Sequence, residues 1–334
     1  MDQVIKNRIY QLASPAYFHP PVHNLQMDAF GLPTLKKGYV IFGRIRLNNY
    51  LFRYYQYPNL KFIKLALDFV YIFSYFGTMN TQKTNKLNRL ISGWQRGVVY
   101  TQSYLSRLGY YHDLIKTYKR NGWLESVGRG AYKLPNDPVD FFGGIYALQQ
   151  QLQLPVHVGG RTALVLKGYG HYVRVEGETF YLFAPMGTRL PKWFVQKEWE
   201  AQICFKATNL FSKDIENSFT EHRHKEFSIK ISAPERAAME MLYYVPSQQG
   251  FDEALRIVEG LMTLRPELVQ QLLENCRSVK VKRLFLYMSE KADLPWLDEL
   301  KLAKIDVGSG KRVIVSDGVL DKKYLITVPR ETFH

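Results

Sequence analysis

The chain has 334 residues, of which 46% are hydrophobic and 22% charged, with 45 Lys and Arg against 30 Asp and Glu. That length accommodates two ordinary domains, and the composition excludes a disordered chain. Only Cys204 and Cys276 are present, far apart and outside any CxxC or Cys/His cluster, so buried free thiols in a reducing cytosol are expected.

The positive charge is uneven. Residues 79–135 hold ten Lys and Arg (Lys83, Lys86, Arg89, Arg96, Arg107, Lys116, Lys119, Arg120, Arg129, Lys133) against two acids, Asp113 and Glu125. Residues 136–334, by contrast, hold 26 basic and 25 acidic residues. Local basicity of this kind is the footprint of a polyanion-binding surface.

In chain order, residues 1–10 mix Asp2, Lys6 and Arg8 with no apolar run behind them, so no secretory signal is expected. Seventeen of the first 78 residues are Phe or Tyr, and Pro15, Pro20, Pro21, Pro33 and Pro58 break any long periodicity. Neither helix nor alternating strand emerges there. The most apolar stretch, residues 62–77, contains Lys64 and Asp68 and falls short of the roughly 20 residues that span a bilayer. A soluble, cytoplasmic protein is expected. Met79 stands directly before the first clear helix, which predicts a native start at Met79 with residues 1–78 as upstream sequence; the alternative is an aromatic-rich accessory module.

A first helix is predicted over residues 81–94, where Leu87, Leu90, Ile91 and Trp94 share one face. Val98-Val99-Tyr100 is extended, and Thr101 can cap a second helix with Tyr104, Leu105 and Leu108 inward and Gly109 as the turn. The third helix, residues 110–121, has Tyr111, Leu114, Ile115 and Tyr118 on its inner stripe. At about 100° per residue, Asp113, Lys116 and Arg120 lie opposite, flanked by His112 and Lys119. Gly122 ends it. Residues 124–127 and 131–134 then read as strands around Gly128-Arg129-Gly130, a tight hairpin tipped by a guanidinium.

Helix, helix, basic helix and hairpin in that order build a winged helix-turn-helix, a fold that lays its third helix in the major groove of DNA. Thr101, Ser103, Lys119 and Arg129 are then expected at phosphates, with His112, Lys116 and Tyr111 at base edges and Arg120 beside them. The alternatives are a solvated helix face, an exposed turn arginine with no partner, or a winged helix that contacts only protein.

Pro135-Asn136-Asp137-Pro138 is a turn-rich linker. Beyond it, residues 144–152 and 161–167 read as helices, and 179–183, 203–205 and 227–231 as strands. Further helices are predicted at 235–244 (with Pro234 at the first helical position), 253–262, 266–276, 281–289 and 296–302, and residues 324–328 close as a strand. The predicted class is α+β: a winged helix-turn-helix at 79–138, then a mixed domain at 139–334 with a helix-rich C-terminal portion.

Little catalytic chemistry is legible. Gly159-Gly160-Arg161-Thr162 could nest an anion but lacks a phosphate loop, and reads as a helix start. His222-Arg223-His224 has no third ligand at metal spacing and reads as a solvated loop. Glu299-Leu300-Lys301 has the letters of a nuclease motif in a helical context. No enzyme, metal or cofactor is expected; a DNA-targeted nuclease-like effector is the alternative. Lys280, Lys282 and Arg283, with Lys311-Arg312, form a candidate partner surface, though acidic neighbours such as Glu290 and Asp293 also fit ordinary mixed surface.

Several blocks resemble the AbiEi antitoxin family, the transcriptional-regulator half of type IV (abortive infection) toxin–antitoxin pairs. They are Lys86-Leu87-Asn88-Arg89-Leu90, residues 121–132 (Asn121-Gly122-Trp123-Leu124-Glu125 onward), Gly144-Ile145-Tyr146-Ala147-Leu148-Gln149, residues 154–164, Tyr181-Leu182-Phe183 and Leu190-Pro191-Lys192-Trp193-Phe194. The resemblance runs from Met79 to the C-terminus and leaves residues 1–78 outside. It implies an autorepressor that binds double-stranded DNA, as inverted repeats in its own promoter, and a C-terminal domain that opposes a nucleotidyltransferase-like toxin. The family's DNA-contacting region maps onto residues 101–104, 111–119 and Arg129.

Overall fold

The computed structural model describes residues 43–47, 50–54, 86–170, 179–200 and 202–330. The chain divides into two compact units, residues 1–93 and 94–334. The expectations placed on Met79 and on the apolar stretch 62–77 lie outside the described residues.

In the first unit, β1 (Gly43–Leu47) pairs antiparallel with β2 (Tyr50–Tyr54). This corrects the expectation of no strands there: Arg-Ile-Arg-Leu alternates with period two, a signal diluted by the surrounding prolines and aromatics. Helix α1 covers residues 86–92, with Leu90 buried and Leu87 and Ile91 half-buried.

The second unit begins with β3 (Tyr100–Thr101), α2 (Gln102–Arg107), α3 (His112–Arg120), β4 (Glu125–Gly128) and β5 (Ala131–Lys133). These strands form a three-stranded sheet in the order β3-β5-β4. Helix α4 (Phe141–Tyr146) is capped by the Asp140 carboxylate on Gly143 N–H and runs into a π-helical turn, Ala147–Gln151.

Next comes a five-stranded mixed sheet in the order β8-β7-β6-β10-β9. It consists of β6 (His157–Val158), β7 (Thr179–Ala184), β8 (Gln202–Ala207), β9 (Phe219–His224) and β10 (Phe227–Ser232). Helices α5 (Gly160–Leu166), α6 (Lys192–Gln196) and α7 (Pro234–Tyr243) accompany it. Successive residues of β7 face opposite sides of the sheet. Phe180 stacks on Phe141 of α4 at 4.3 Å, whereas Tyr181 and Phe183 pack against Tyr244 just beyond α7. The sheet is thus covered on both faces, with Leu164, Leu182, Ile229, Ile231 and Ala237 fully buried.

The chain closes with α8 (Phe251–Glu259), α9 (Pro266–Asn275), α10 (Val279–Lys291) and a small sheet in the order β11-β13-β12. Its strands are β11 (Arg312–Val313), β12 (Val319–Asp321) and β13 (Ile326–Val328). The class is α+β with a helix-rich C-terminal portion, as expected.

Three local readings are corrected. Residues 296–302 are not one helix: they fall into 3-10 turns at Pro295–Glu299 and Leu302–Lys304, broken by an extended Leu300. His222-Arg223-His224 is strand β9, paired with β10 across a Lys225 turn at φ 52°. There His222 and His224 face inward and Glu221 and Arg223 outward, and a histidine counted as polar conceals that alternation. Of the basic cluster, Lys282 and Arg283 are buried rather than displayed. Arg283 donates to the carbonyls of Val307, Gly308, Gly310 and Leu325, tying α10 to the C-terminal sheet. Lys280 donates to the carbonyls of Tyr243 and Val245.

Candidate nucleic-acid interface

Helix α2 starts where Thr101 accepts a hydrogen bond from Tyr104 N–H at 3.4 Å. Leu105 is fully buried beneath it, and Gly109 makes the turn at φ +86°. Tyr110 N–H donates to Leu105 C=O at 2.9 Å, fixing the angle at which α3 departs. Helix α3 carries Asp113 in its first turn and Lys119 and Arg120 in its last, the signs that its dipole favours. Leu114, Ile115 and Tyr118 are buried, whereas His112, Lys116, Lys119 and Arg120 are exposed. Asn121 caps the helix and Gly122 leaves it at φ +75°.

The hairpin turns through Arg129 and Gly130, the latter at φ +77°, with Gly128 opposite Ala131. Gly130 C=O accepts from Gln102 N–H at 2.8 Å, so the exposed Arg129 stands beside the first turn of α2. Lys116, Lys119, Arg120 and Arg129 make no ion pair with any described residue. His112 Nδ1 lies 3.6 Å from Asp113 Oδ1, both well exposed. Ser103 is exposed, its hydroxyl 3.3 Å from that of Thr101.

Three placements differ from the sequence reading. Thr101 is only 2% exposed, and its hydroxyl serves the helix cap and reaches Gln151 Oε1 at 3.3 Å. It is a structural cap, buried out of reach of the phosphate expected at it. Tyr111 is 57% exposed at the N-cap of α3, not on the inner stripe, and Tyr110 is buried in its place. Leu108, expected inward, is 50% exposed because α2 ends at Arg107 and the chain leaves the helix there.

Two supports were invisible to periodicity. Gln151, in the π-helical turn, is buried; its Oε1 accepts from Thr101 N–H at 2.9 Å and its Nε2 donates to Val99 C=O at 2.6 Å. Arg107 also donates to the Gln151 carbonyl. A Cβ built on Gly128 would lie 2.8 Å from Trp193 Cβ, so the hairpin is seated directly on α6. Neither a glutamine in a Gln149-Gln150-Gln151 run nor a tryptophan 65 residues from its glycine carries a local signal.

The Gly159-Gly160 step is a helix start, as expected, and its anion is internal. Glu240 Oε2 accepts from Gly160 N–H at 3.2 Å and from Ser232 Oγ at 2.7 Å, while Oε1 meets His157 Nε2 at 2.9 Å and Arg236 Nε at 2.8 Å. Burial opposes the Glu240 charge, but these partners outweigh it and hold the carboxyl well below the ordinary range. Burial also pushes His157 down, leaving a neutral ring that donates to the carboxylate. No group of three or more His, Cys, Asp or Glu suited to a metal occurs among the described residues. No helix among them is long and apolar enough to cross a membrane. Cys276 is buried and its thiol pushed up to about 11, whereas Cys204 is only half-buried and donates to Gln248 Oε1, correcting half of the expectation for the thiols.

Two family models match the chain. One, described as a transcriptional regulator, AbiEi antitoxin N-terminal domain, covers residues 83–175; the other, described as a transcriptional regulator, AbiEi antitoxin of a type IV TA system, covers residues 177–329. No curated protein matches significantly. Among solved structures, the RV2827C protein of Mycobacterium tuberculosis is similar with a TM-score of 0.51 at 15% identity, over 74% of this chain and 90% of that one. At that identity the likeness is one of fold alone.

Proposed function

The chain belongs to the AbiEi family of transcriptional regulators, the antitoxins of type IV toxin–antitoxin systems, and on that premise we propose that it represses its own promoter through a winged helix-turn-helix within residues 79–138. The observation that carries this reading is helix α3. One side of it is fully packed, and the other presents Lys116, Lys119 and Arg120 with no acidic partner among the described residues. Cations held in solvent without counter-charges are what a phosphate backbone neutralises, releasing its condensed counterions. His112, Lys116 and Tyr111 then reach base edges, while Ser103, Lys119, Arg120 and the wing-tip Arg129 hold the backbone.

In this reading the protein is not an enzyme, takes no cofactor, and works in the cytoplasm; residues 139–334 oppose a nucleotidyltransferase-like toxin. A gel-shift titration with duplex from upstream of its own reading frame tests the DNA half. Affinity is expected to fall steeply with salt, and Lys116→Ala combined with Arg129→Ala to lower it by about two orders of magnitude. Wild-type affinity in the double variant sinks the assignment. Co-expression with the neighbouring toxin gene tests the other half, rescue of growth being the expected result.

A further inference from the structure

Beneath the five-stranded sheet, against α7, lies a cavity of about 520 Å³, within the range of about 300–1,000 Å³ typical of small-molecule sites. Its floor is Arg236, nine-tenths buried, with its guanidinium between the rings of Phe211 and Phe219 at 4.6 and 4.4 Å. Nε is committed to Glu240 and Nη1 to Ser218 Oγ at 3.3 Å, but Nη2 has no hydrogen-bond partner among the described residues. On the rim, Lys230 Nζ sits 3.9 Å from the Phe219 ring centroid, and Lys213 is exposed. His157 presents its second ring nitrogen, likewise without a partner among the described residues. Glu240 is also in the lining, but its four donors already satisfy it, and Asp214 offsets one lysine. What remains is a spare guanidinium N–H pair, a spare ammonium, a buried acceptor and aromatic walls.

The same cavity is wired to the proposed DNA-binding helices. Gln149, which lines it, accepts from Lys230 N–H at 2.8 Å and donates to Lys230 C=O at 2.9 Å. Two residues further along the same π-helical turn, Gln151 grips Val99 C=O and the N–H of Thr101, the cap of α2. A π-helical turn is a rare element that recurs at functional sites. Gln149 holds the Lys230 backbone, so a displacement of that strand residue is passed to the turn that holds α2 in register.

We infer that this cavity binds a small anion carrying a planar ring, the chemical class of a nucleoside monophosphate, and that its occupancy alters DNA affinity through the Gln149–Gln151 turn. The phosphate meets Arg236 and Lys230, and the ring lies along the phenylalanines with an edge toward His157. The second half of the inference rests on the repressor reading above.

Calorimetry of the full chain with AMP, GMP, CMP, UMP and inorganic phosphate decides the site. At least one nucleotide is expected to saturate with a Kd of about 1 mM or tighter, and phosphate alone to bind more weakly. The exposed-residue variant Lys230→Ala should weaken binding about tenfold or more without changing the melting curve. Absence of saturable binding, or binding indifferent to both Lys230→Ala and Lys213→Ala, overturns the site; phosphate binding as tightly as the nucleotides overturns the requirement for a ring. Fluorescence anisotropy with the upstream duplex decides the coupling. A saturating nucleotide should change DNA affinity by about fivefold or more in the wild type and by clearly less in Gln151→Leu, a position outside the cavity lining. An unchanged affinity overturns the coupling alone. No DNA binding by the free protein overturns the repressor reading and the coupling together, while the calorimetry still stands for the site.

Discussion

At the scale of single residues, the buried polar groups rather than the exposed cations govern how the protein responds to pH. His157 is packed neutral between Phe219 and the Glu240 carboxylate, with its pKa below the ordinary 6.5, and His222 is lowered in the same direction by burial. In the unfolded chain both rings regain ordinary values. Between those values and the folded ones the unfolded state binds more protons, so stability is full above about pH 6.5 and declines as pH falls. Thermal melts at about pH 7.5 and 5.5 should show a lower Tm at the acid end. His157→Gln, whose amide can still donate to Glu240, should be less stable near neutrality yet flatter with pH. An acid-end Tm equal to or above the neutral one contradicts this account. At this scale the sequence was readable where chemistry is local, as for the Thr101 cap and the Gly122 exit. It was unreadable where a charge is buried: Arg283 has the letters of a surface cation, yet its four carbonyl acceptors lie 24 to 42 residues away.

At the scale of elements, amphipathic helices were the most legible and short or edge strands the least. Helix α3 could be located within two residues because Leu114, Ile115 and Tyr118 repeat at helical spacing, and the Pro234 and Pro266 starts were equally plain. Strand β9 was hidden because its inward positions are histidines, which the Phe142 ring and Asp140 accommodate. The hairpin β4–β5 shows how an element can be read correctly and its setting missed. Its alternation and glycines announce a tight turn, but Gly128 also admits Trp193 of α6 where any side chain would collide. Gly128→Ala should therefore destabilise the protein by about 1 to 3 kcal/mol by overpacking, measured by urea unfolding. It should also weaken DNA binding through the displaced Arg129. Wild-type stability in that variant would mean that the hairpin is not held by α6.

At the scale of the whole molecule, the sequence suggested two domains divided at Pro135–Pro138, whereas residues 94–334 form one compact unit. The supposed linker is itself tied down: Asp137 is buried and both its carboxylate oxygens accept from Gly97 N–H at 3.1 Å. Gln151 on Thr101 and Trp193 on Gly128 are two separate contacts that bind the helix pair and hairpin to the rest of this unit. Residues 94–330 are accordingly expected to unfold in one cooperative transition, with tryptophan fluorescence and far-UV circular dichroism giving coincident urea curves. Gln151→Leu should leave a buried N–H and a buried C=O unsatisfied, lower stability by about 1 to 3 kcal/mol per group, and begin to separate the two curves. Two well-resolved transitions in the wild type would restore the independent-domain picture.

The sequence alone determined the α+β class, the order of helix, helix and hairpin, the cationic side of α3 and the family. The helices, the hairpin and the charge arise from spacing and local composition, which the chain carries within a dozen residues, and the class and family from the order of such blocks along it. Only the tertiary structure decided that Thr101 is a buried cap, that Lys282 and Arg283 are internal, that Glu240 fills the nest at Gly160, and that Gln151 and Trp193 anchor the helix pair and hairpin. Those outcomes depend on partners many residues distant, and burial and pairing across such separations leave no periodic trace along the chain.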